Sequence, residues 1–185
     1  MSNYNERVIS IPKPTLEFHE VRAFLFQGLL VTTAILLPAV AHLIGAPARI
    51  LLPMHWPIIL AGLVYGWRGG ALTGLLAPIL SFLISGRPLP IVLPAMTIEL
   101  FAYGFFTGLF RERFRWNPIA SVAVALILGR VAFIIAVVLS GYVNKNYLEY
   151  LKVALIPGFA AATAQIILLP LLGSRWVKKG KPDSV

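Results

Sequence analysis

The stretch "VLPAMTIELFAYGFFTGLF" (residues 92–110) decides the fold class, because it is apolar enough to cross a bilayer yet carries a carboxylate, Glu99. A charge at the centre of a membrane helix costs roughly 2.5–3.5 kcal/mol on insertion scales. Such a residue normally faces the protein interior and has partners there. The rest of the sequence should therefore supply a helical bundle and a partner for Glu99.

The composition places the chain in a membrane. Of its 185 residues, 58% are hydrophobic and 12% are charged, whereas soluble domains have about 25% charged residues. The net charge of +9 does not indicate nucleic-acid binding, because the basic residues lie between apolar runs and at the chain ends, where they act as topology signals. The absence of cysteine excludes disulfides and thiolate chemistry.

Six apolar runs, each bounded by Gly, Pro or charge, predict membrane spans. They cover residues 22–44, 50–66, 69–85, 93–111, 118–140 and 148–174. The second and third runs are separated only by "WRG" (67–69), which predicts a tight hairpin. Pro157-Gly158 predicts a kink, or a first half lying on the membrane surface, in the last run. The fold class is therefore an all-α membrane protein with six transmembrane helices.

The distribution of Lys and Arg predicts the orientation. Six crossings place eleven basic residues on the side of both termini and four on the other side, so both termini should be cytoplasmic. The predicted organisation is a cytoplasmic tail over 1–21, a six-helix substrate-binding domain over 22–174 and a basic cytoplasmic tail over 175–185.

A second charge, Arg130, falls inside a predicted span. At 1.5 Å per residue, Glu99 lies roughly 9 Å and Arg130 roughly 15 Å below the outer boundary, so their side chains can meet. The pair is either a structural link between two spans or a contact for a polar ligand, and both hold if it forms the floor of a cavity. Tyr103 lies four residues after Glu99, on the same helical face.

Other polar residues are candidates of the second rank. Gln165, in the last run, either hydrogen-bonds another helix or contacts a ligand. His55 and Trp56 open the second run in "LLPMHWP". His42, His55 and Glu99 are residue types that bind metals, but no H-x-x-x-H spacing occurs, so we predict no metal site.

Catalytic motifs are not found. The sequence has no G-x-S-x-G, no H-E-x-x-H and no Walker A sequence, so it does not hydrolyse ATP by P-loop chemistry. We predict no enzymatic activity and no cofactor. The alternative is a membrane-embedded enzyme acting on a lipid or small metabolite, with His55 and Glu99 as acid–base groups. A third possibility is a structural subunit without a ligand.

The ordered motifs resemble a known family. "LLPMHWPIILAGLVYGWRGGALTGLLAPILSFLISGRPLP", then "MTIELFAYGFFTGLF", "GR" at 129–130 and "PGFAAATAQ" are similar to substrate-binding S components of energy-coupling factor (ECF) transporters, which are vitamin importers of the ABC class. The resemblance extends from about residue 30 to residue 173. It implies a cavity formed mostly by the last three spans and capped by outer loops. From the buried polar residues themselves, we predict that Glu99, Tyr103 and Arg130 are the leading polar contacts of a substrate or the immediate supports of such contacts.

The resemblance also implies partners. The first three spans of an S component dock on a transmembrane coupling protein that binds two ABC ATPases, in the cell membrane of a prokaryote. Many members carry an A-x-x-x-A docking motif on the first span. Here Ala34 is followed by Pro38, so the expected small docking surface comprises Thr33, Ala34, Ala39, Gly62 and Gly66.

The expected substrate is a small, water-soluble, vitamin-like molecule. "LPMHWP" with "IELFAYG" is most similar to members assigned to a precursor of the cobalamin lower ligand, a benzimidazole or its riboside. Pyridoxine, pantothenate and other vitamins remain open. The start "MSNYNERV" lacks the Met-His end of nickel and cobalt members, which argues against metal import.

Overall fold

The computed structural model describes residues 14–16, 21–141 and 146–180, and its regular structure over these ranges is α-helical. The helices are α1 (Val21–Leu43), α2 (Ala48–Leu51), α3 (His55–Ser85), α4 (Leu93–Glu112), α5 (Pro118–Ser140), α6 (Tyr147–Leu155) and α7 (Gly158–Gly180). Among the described residues, five helices (α1, α3, α4, α5 and α7) are long and apolar enough to span a membrane. The predicted all-helical membrane class is therefore confirmed.

Helix α3 turns back on itself at Gly66, whose φ of 72° and ψ of −167° belong to a region of backbone space that is essentially restricted to glycine. A Cβ on Gly62 would lie 2.7 Å from the carbonyl oxygen of Gly104, and a Cβ on Gly70 would lie closer still to that atom. On a straight helix Gly62 and Gly70 would be about 12 Å apart, so both reach one atom because the chain reverses between them. The predicted hairpin is present, with its turn at Gly66 rather than at 67–69.

The two ends of the described chain meet at the end of the bundle that carries the α3 turn. The Leu16 N–H donates to the Val64 carbonyl over 2.8 Å, and a Cβ on Gly180 would lie 2.7 Å from the Leu16 side chain. Near them, the rings of Phe26 on α1 and Trp176 on α7 meet edge to face at 5.4 Å. Both ends therefore lie on one side, as an even number of crossings requires. The count of six crossings and the cytoplasmic side stay predictions.

The last predicted span, 148–174, is divided at Pro157 into α6 and α7. Proline has no N–H to donate and its ring crowds the preceding turn, so a helix rarely continues through it. Helix α6 packs against Phe133 and Val137 of α5 and is too short to cross a bilayer. The spanning segment is α7, which runs on to Gly180, inside the stretch predicted as a tail.

Glycines hold α3 against α4 at backbone contact. Gly70 faces Gly104, and a Cβ on Gly74 would lie 2.7 Å from the backbone carbon of Leu100. In lipid, helices associate through such close approach, because the bilayer supplies no hydrophobic force between them. This seam fixes α4, and with it Glu99, against both arms of the hairpin.

We predict that Gly70→Ala destabilises the protein by roughly 1–3 kcal/mol, because the new methyl group must push α3 and α4 apart. Gly28→Ala is the matched control, since Gly28 lies on α1 with no atom within 4 Å of its Cβ position. The measurement is thermal unfolding in detergent. Equal unfolding midpoints for the two variants would contradict the close-packed seam.

Candidate functional site

A buried ion pair lies at the centre of the candidate site, at the end of the bundle opposite the chain ends. The Arg130 Nη1 atom is 2.7 Å from the Glu99 Oε1 atom. The Tyr103 hydroxyl donates to the same oxygen over 2.7 Å. The predicted meeting of Glu99 with Arg130, and the shared face of Glu99 and Tyr103, are thus present in the structure. One oxygen of Glu99 therefore accepts a hydrogen bond from Tyr103 on the same helix, α4, and pairs with Arg130 on α5.

Two glycines provide the room for these side chains. A Cβ on Gly129 would overlap the Tyr103 ring, and a Cβ on Gly158 would lie 2.5 Å from an Arg130 guanidinium nitrogen. Gly129 directly precedes Arg130 on α5. The notch that receives the Tyr103 ring therefore lies next to the arginine on the same helix. Gly158 starts α7 directly after Pro157. The break between α6 and α7 therefore places backbone without a side chain against the guanidinium of Arg130. Residues of α4, α5 and α7 therefore meet at the ion pair and its supporting tyrosine.

His55 and Gln165 are buried polar side chains that lack hydrogen bonds. His55 is 4% exposed, and its ring lies 5.3 Å from the Tyr103 ring, centroid to centroid. Gln165 is 0% exposed. Within the described part of the chain, both amide atoms of Gln165 are without a hydrogen-bond partner, and neither ring nitrogen of His55 makes a well-formed hydrogen bond, although backbone of Leu52 lies near the ring. Buried polar groups are normally paired, so these four atoms require an explanation.

Trp56 is already engaged by the loop that precedes it. Its indole N–H donates to the Leu51 carbonyl over 2.9 Å, and the backbone N–H of His55 donates to the Leu52 carbonyl over 3.0 Å. Leu52 has a φ of 45°, a left-handed conformation that is costly for a residue with a branched side chain. A substrate could therefore reach Trp56 through its ring face but not through its N–H.

The site is closed in this conformation. Glu99 and Tyr103 are 4% and 0% exposed, and Arg130 is the more accessible partner of the pair, with 23% of its side chain exposed. The described residues do form a shallow recess elsewhere, lined by Arg111 and Val177 among others, but it has no room for a water-sized molecule. It lies about 18 Å further along α4 from Glu99. The predicted cavity, formed mostly by the last three spans and capped by outer loops, stays a prediction. In this conformation the Tyr103 ring occupies the space beside Gly129, which leaves Glu99 and Tyr103 almost without accessible surface.

A family model described as "ECF transporter, substrate-specific component" matches residues 23–178, which is most of the chain. The chain belongs to this family. Searches of curated proteins and of solved structures found no match. The chain is therefore a transporter subunit of a family that binds small-molecule substrates, and not a member of an enzyme family. ECF S components work with a transmembrane coupling protein and ATPases.

The residues predicted to dock on the coupling protein are partly buried and partly on the surface. Ala34 is 0% exposed and belongs to the core cluster, and Gly62 and Gly66 pack against α4. These three residues face the interior of this chain, so in this conformation they do not contact a partner. Ala39 lies on the surface and Thr33 is partly exposed. The docking surface stays a prediction, and it can rest only on these two residues and their neighbours.

The described residues do not form a metal site. The side chain of His42 lies outside the described residues. Within those that the structure describes, no group of three or more His, Cys, Asp or Glu side chains is placed to hold a metal ion. Glu99 instead contacts a guanidinium and a phenol.

Sequence reasoning missed the roles of Gly129, Gly158 and Leu52. Each stands next to a residue or motif that was singled out: Gly129 beside Arg130, Gly158 after Pro157, and Leu52 before "PMHWP". A glycine adjoining a charged residue within an apolar helix is a usable signal, because a buried long side chain needs space on the neighbouring helix. The left-handed conformation of Leu52 has no comparable signal in the sequence.

A double-mutant cycle tests whether Glu99 and Arg130 stabilise each other. We expect Arg130→Gln to cost more stability than Glu99→Gln, because it leaves the deeper charge without its partner. The coupling energy should be about 0.5–3 kcal/mol. The measurement is the unfolding midpoint in detergent of the wild type, the two single variants and the double variant. Exposed Arg87→Gln is the control and should change stability by less than about 0.5 kcal/mol; strictly additive single effects would argue that the pair is not coupled.

Proposed function

We propose that this S component captures a small, water-soluble vitamin or vitamin precursor at the Glu99–Arg130 site for import. The binding subunit itself needs no cofactor. It delivers the substrate with a transmembrane coupling protein and two ABC ATPases in the cell membrane of a prokaryote. The proposal rests on family membership together with the buried ion pair and the buried, unpaired polar atoms inside the bundle.

The observation that carries the proposal is the set of four unpaired polar atoms on His55 and Gln165. Leaving a buried donor or acceptor unpaired costs about 1–3 kcal/mol. In a membrane bundle there is little water to relieve that cost. A protein that needed these side chains only for packing would be more stable with leucine in their place. A bound substrate with its own donors and acceptors gives a reason to keep them.

The chemistry of the site favours a small planar ring compound. The Tyr103 and His55 rings offer aromatic faces, Glu99 accepts hydrogen bonds, and Arg130 donates them. A benzimidazole or its riboside has a flat ring with a ring nitrogen to be recognised. It is our preferred substrate, ahead of pyridoxine and pantothenate. Small-molecule sites typically combine such apolar walls with a few directed polar groups.

Binding requires the site to open, and the structure suggests where. Arg130 contacts Gly158 at the start of α7, and Leu52 lies against the same glycine. The Leu52 loop carries a costly backbone conformation, which is a common property of segments that switch. We propose that movement of this loop and of the α6–α7 junction exposes Arg130 and frees the Tyr103 notch for substrate.

The enzyme alternative gains no support from the geometry. It needs His55 and Glu99 to act as acid–base groups on a lipid or small metabolite, yet the described contacts of Glu99 are with Arg130 and Tyr103. Both ring nitrogens of His55 are free of hydrogen bonds to described residues. A general base and acid must come within hydrogen-bond reach of the reacting group and are usually oriented by a partner.

The proposal predicts opposite effects of one substitution on stability and on binding. Gln165→Leu should raise the unfolding temperature of the substrate-free protein, because it removes two unpaired buried atoms. It should also abolish the further rise that a bound substrate gives to the wild type. The measurement is thermal unfolding with a panel of benzimidazole, its riboside, pyridoxine and pantothenate. His55→Leu should behave in the same way.

Thr107→Val is the matched control, because the Thr107 hydroxyl is also buried and unpaired but faces Gly62 in the α3–α4 seam. It should raise stability without changing the response to substrate. If Gln165→Leu destabilises the protein and leaves the substrate response intact, the glutamine is structural and this site assignment fails.

A further inference from the structure

The two charges at the candidate site balance each other. The Arg130 Nη1 atom lies 2.7 Å from the Glu99 Oε1 atom, and among the acidic residues that the structure describes, Glu99 is the buried one. The others lie elsewhere: Glu112 accepts from the backbone N–H of Trp67, and Glu149 is exposed on α6. The described part of the site therefore holds one negative and one positive charge, already joined in a single ion pair.

The two members of the pair differ in how a ligand can reach them. Arg130 has 23% of its side chain exposed, whereas Glu99 has 5%. The ion pair and the hydrogen bond from Tyr103 both use Oε1 of Glu99, and Oε2 takes no part in these two contacts. A ligand that enters therefore meets the guanidinium first, and Oε2 is the oxygen that can accept from it while both contacts persist.

A complete ion pair discriminates between ligands by their charge. An anion at Arg130 must either lie beside the Glu99 carboxylate or displace it, and a buried carboxylate without its partner is costly. A cation must approach through the more exposed guanidinium, and like charges in contact are strongly unfavourable. An uncharged ligand avoids both penalties. It still gains hydrogen bonds to charged groups, which are stronger than those between neutral groups.

We propose that the Glu99–Arg130 pair makes the site selective for uncharged ring compounds and excludes their anionic and cationic analogues. This inference rests on the proposed function and narrows it to a ligand that donates to Glu99, accepts from Arg130 and carries no net charge. Benzimidazole and its riboside meet these conditions, whereas pantothenate is a carboxylate and does not. Selectivity of this kind depends on penalties against the wrong ligand as much as on contacts with the right one.

The test uses three benzimidazoles of similar shape and different charge. At neutral pH, benzimidazole-5-carboxamide is uncharged, benzimidazole-5-carboxylate is an anion and 5-(aminomethyl)benzimidazole is a cation. Calorimetry on the purified wild-type protein in detergent gives the three dissociation constants. We expect the carboxamide to bind about tenfold or more tightly than either charged analogue.

The possible results separate this inference from the function on which it rests. If either charged analogue binds as tightly as the carboxamide, the charge selection is overturned and the substrate site itself stands. If none of the three compounds binds, both proposals are overturned.

Two variants remove opposite members of the pair and should shift the charge preference in opposite directions. Glu99→Gln leaves Arg130 unbalanced and should raise the affinity for the carboxylate relative to the carboxamide about tenfold or more. Arg130→Gln leaves Glu99 unbalanced and should raise the relative affinity for the aminomethyl compound by a similar factor. A merely structural loss lowers all three affinities alike, so the ratios report charge selection, and either variant that folds suffices.

Glu149→Gln is the matched control, because it removes an exposed acidic charge on α6 outside the site. It should change each affinity ratio by less than about twofold, since exposed charges interact weakly. Unchanged ratios in a folded Glu99→Gln or Arg130→Gln variant, or an equal shift in Glu149→Gln, would overturn the proposal.

Discussion

The carboxylate of Glu99 can lie inside this bundle because Arg130 and Tyr103 both contact one of its oxygens. In a bilayer there is no water to take their place, so each member of this cluster makes the burial of the others tolerable. The same contacts join α4 to α5, and the Arg130 guanidinium also contacts Gly158 at the start of α7. The architecture at this end of the protein therefore depends on one ion pair.

Three parts of the bundle differ in how their helices pack and in the side chains that they carry. Where α3 packs on α4, glycine backbones touch and leave little freedom, which makes this part a rigid platform. At the Glu99 end, helices meet through the long side chains of Glu99 and Arg130, and the His55 ring lies beside Tyr103. This polar cluster is the part of the bundle that we propose as the substrate site. At the other end, unbalanced arginines and aromatic rings suit contact with the headgroups of the membrane.

Much of this architecture could be predicted from the sequence, because apolar length, proline and charge act locally. The hairpin of α3, the break at Pro157 and the meeting of Glu99 with Arg130 all follow from spacing along the chain. The closed site could not be predicted, since it depends on the Tyr103 ring entering a notch on another helix. The burial of Ala34 was missed for a similar reason: every face of a membrane helix is apolar, so periodicity does not tell lipid from core. The capture of the Trp56 N–H by Leu51 depends on a backbone conformation that sequence does not specify.

The most direct test of the account is native mass spectrometry of wild-type protein released gently from the membrane of its host. The account predicts one small polar molecule bound per chain, lost on activation in the gas phase and restored by adding that compound. A bare mass from the host, together with no binding of any compound in the vitamin panel, would contradict the assignment of the polar cluster as a substrate site.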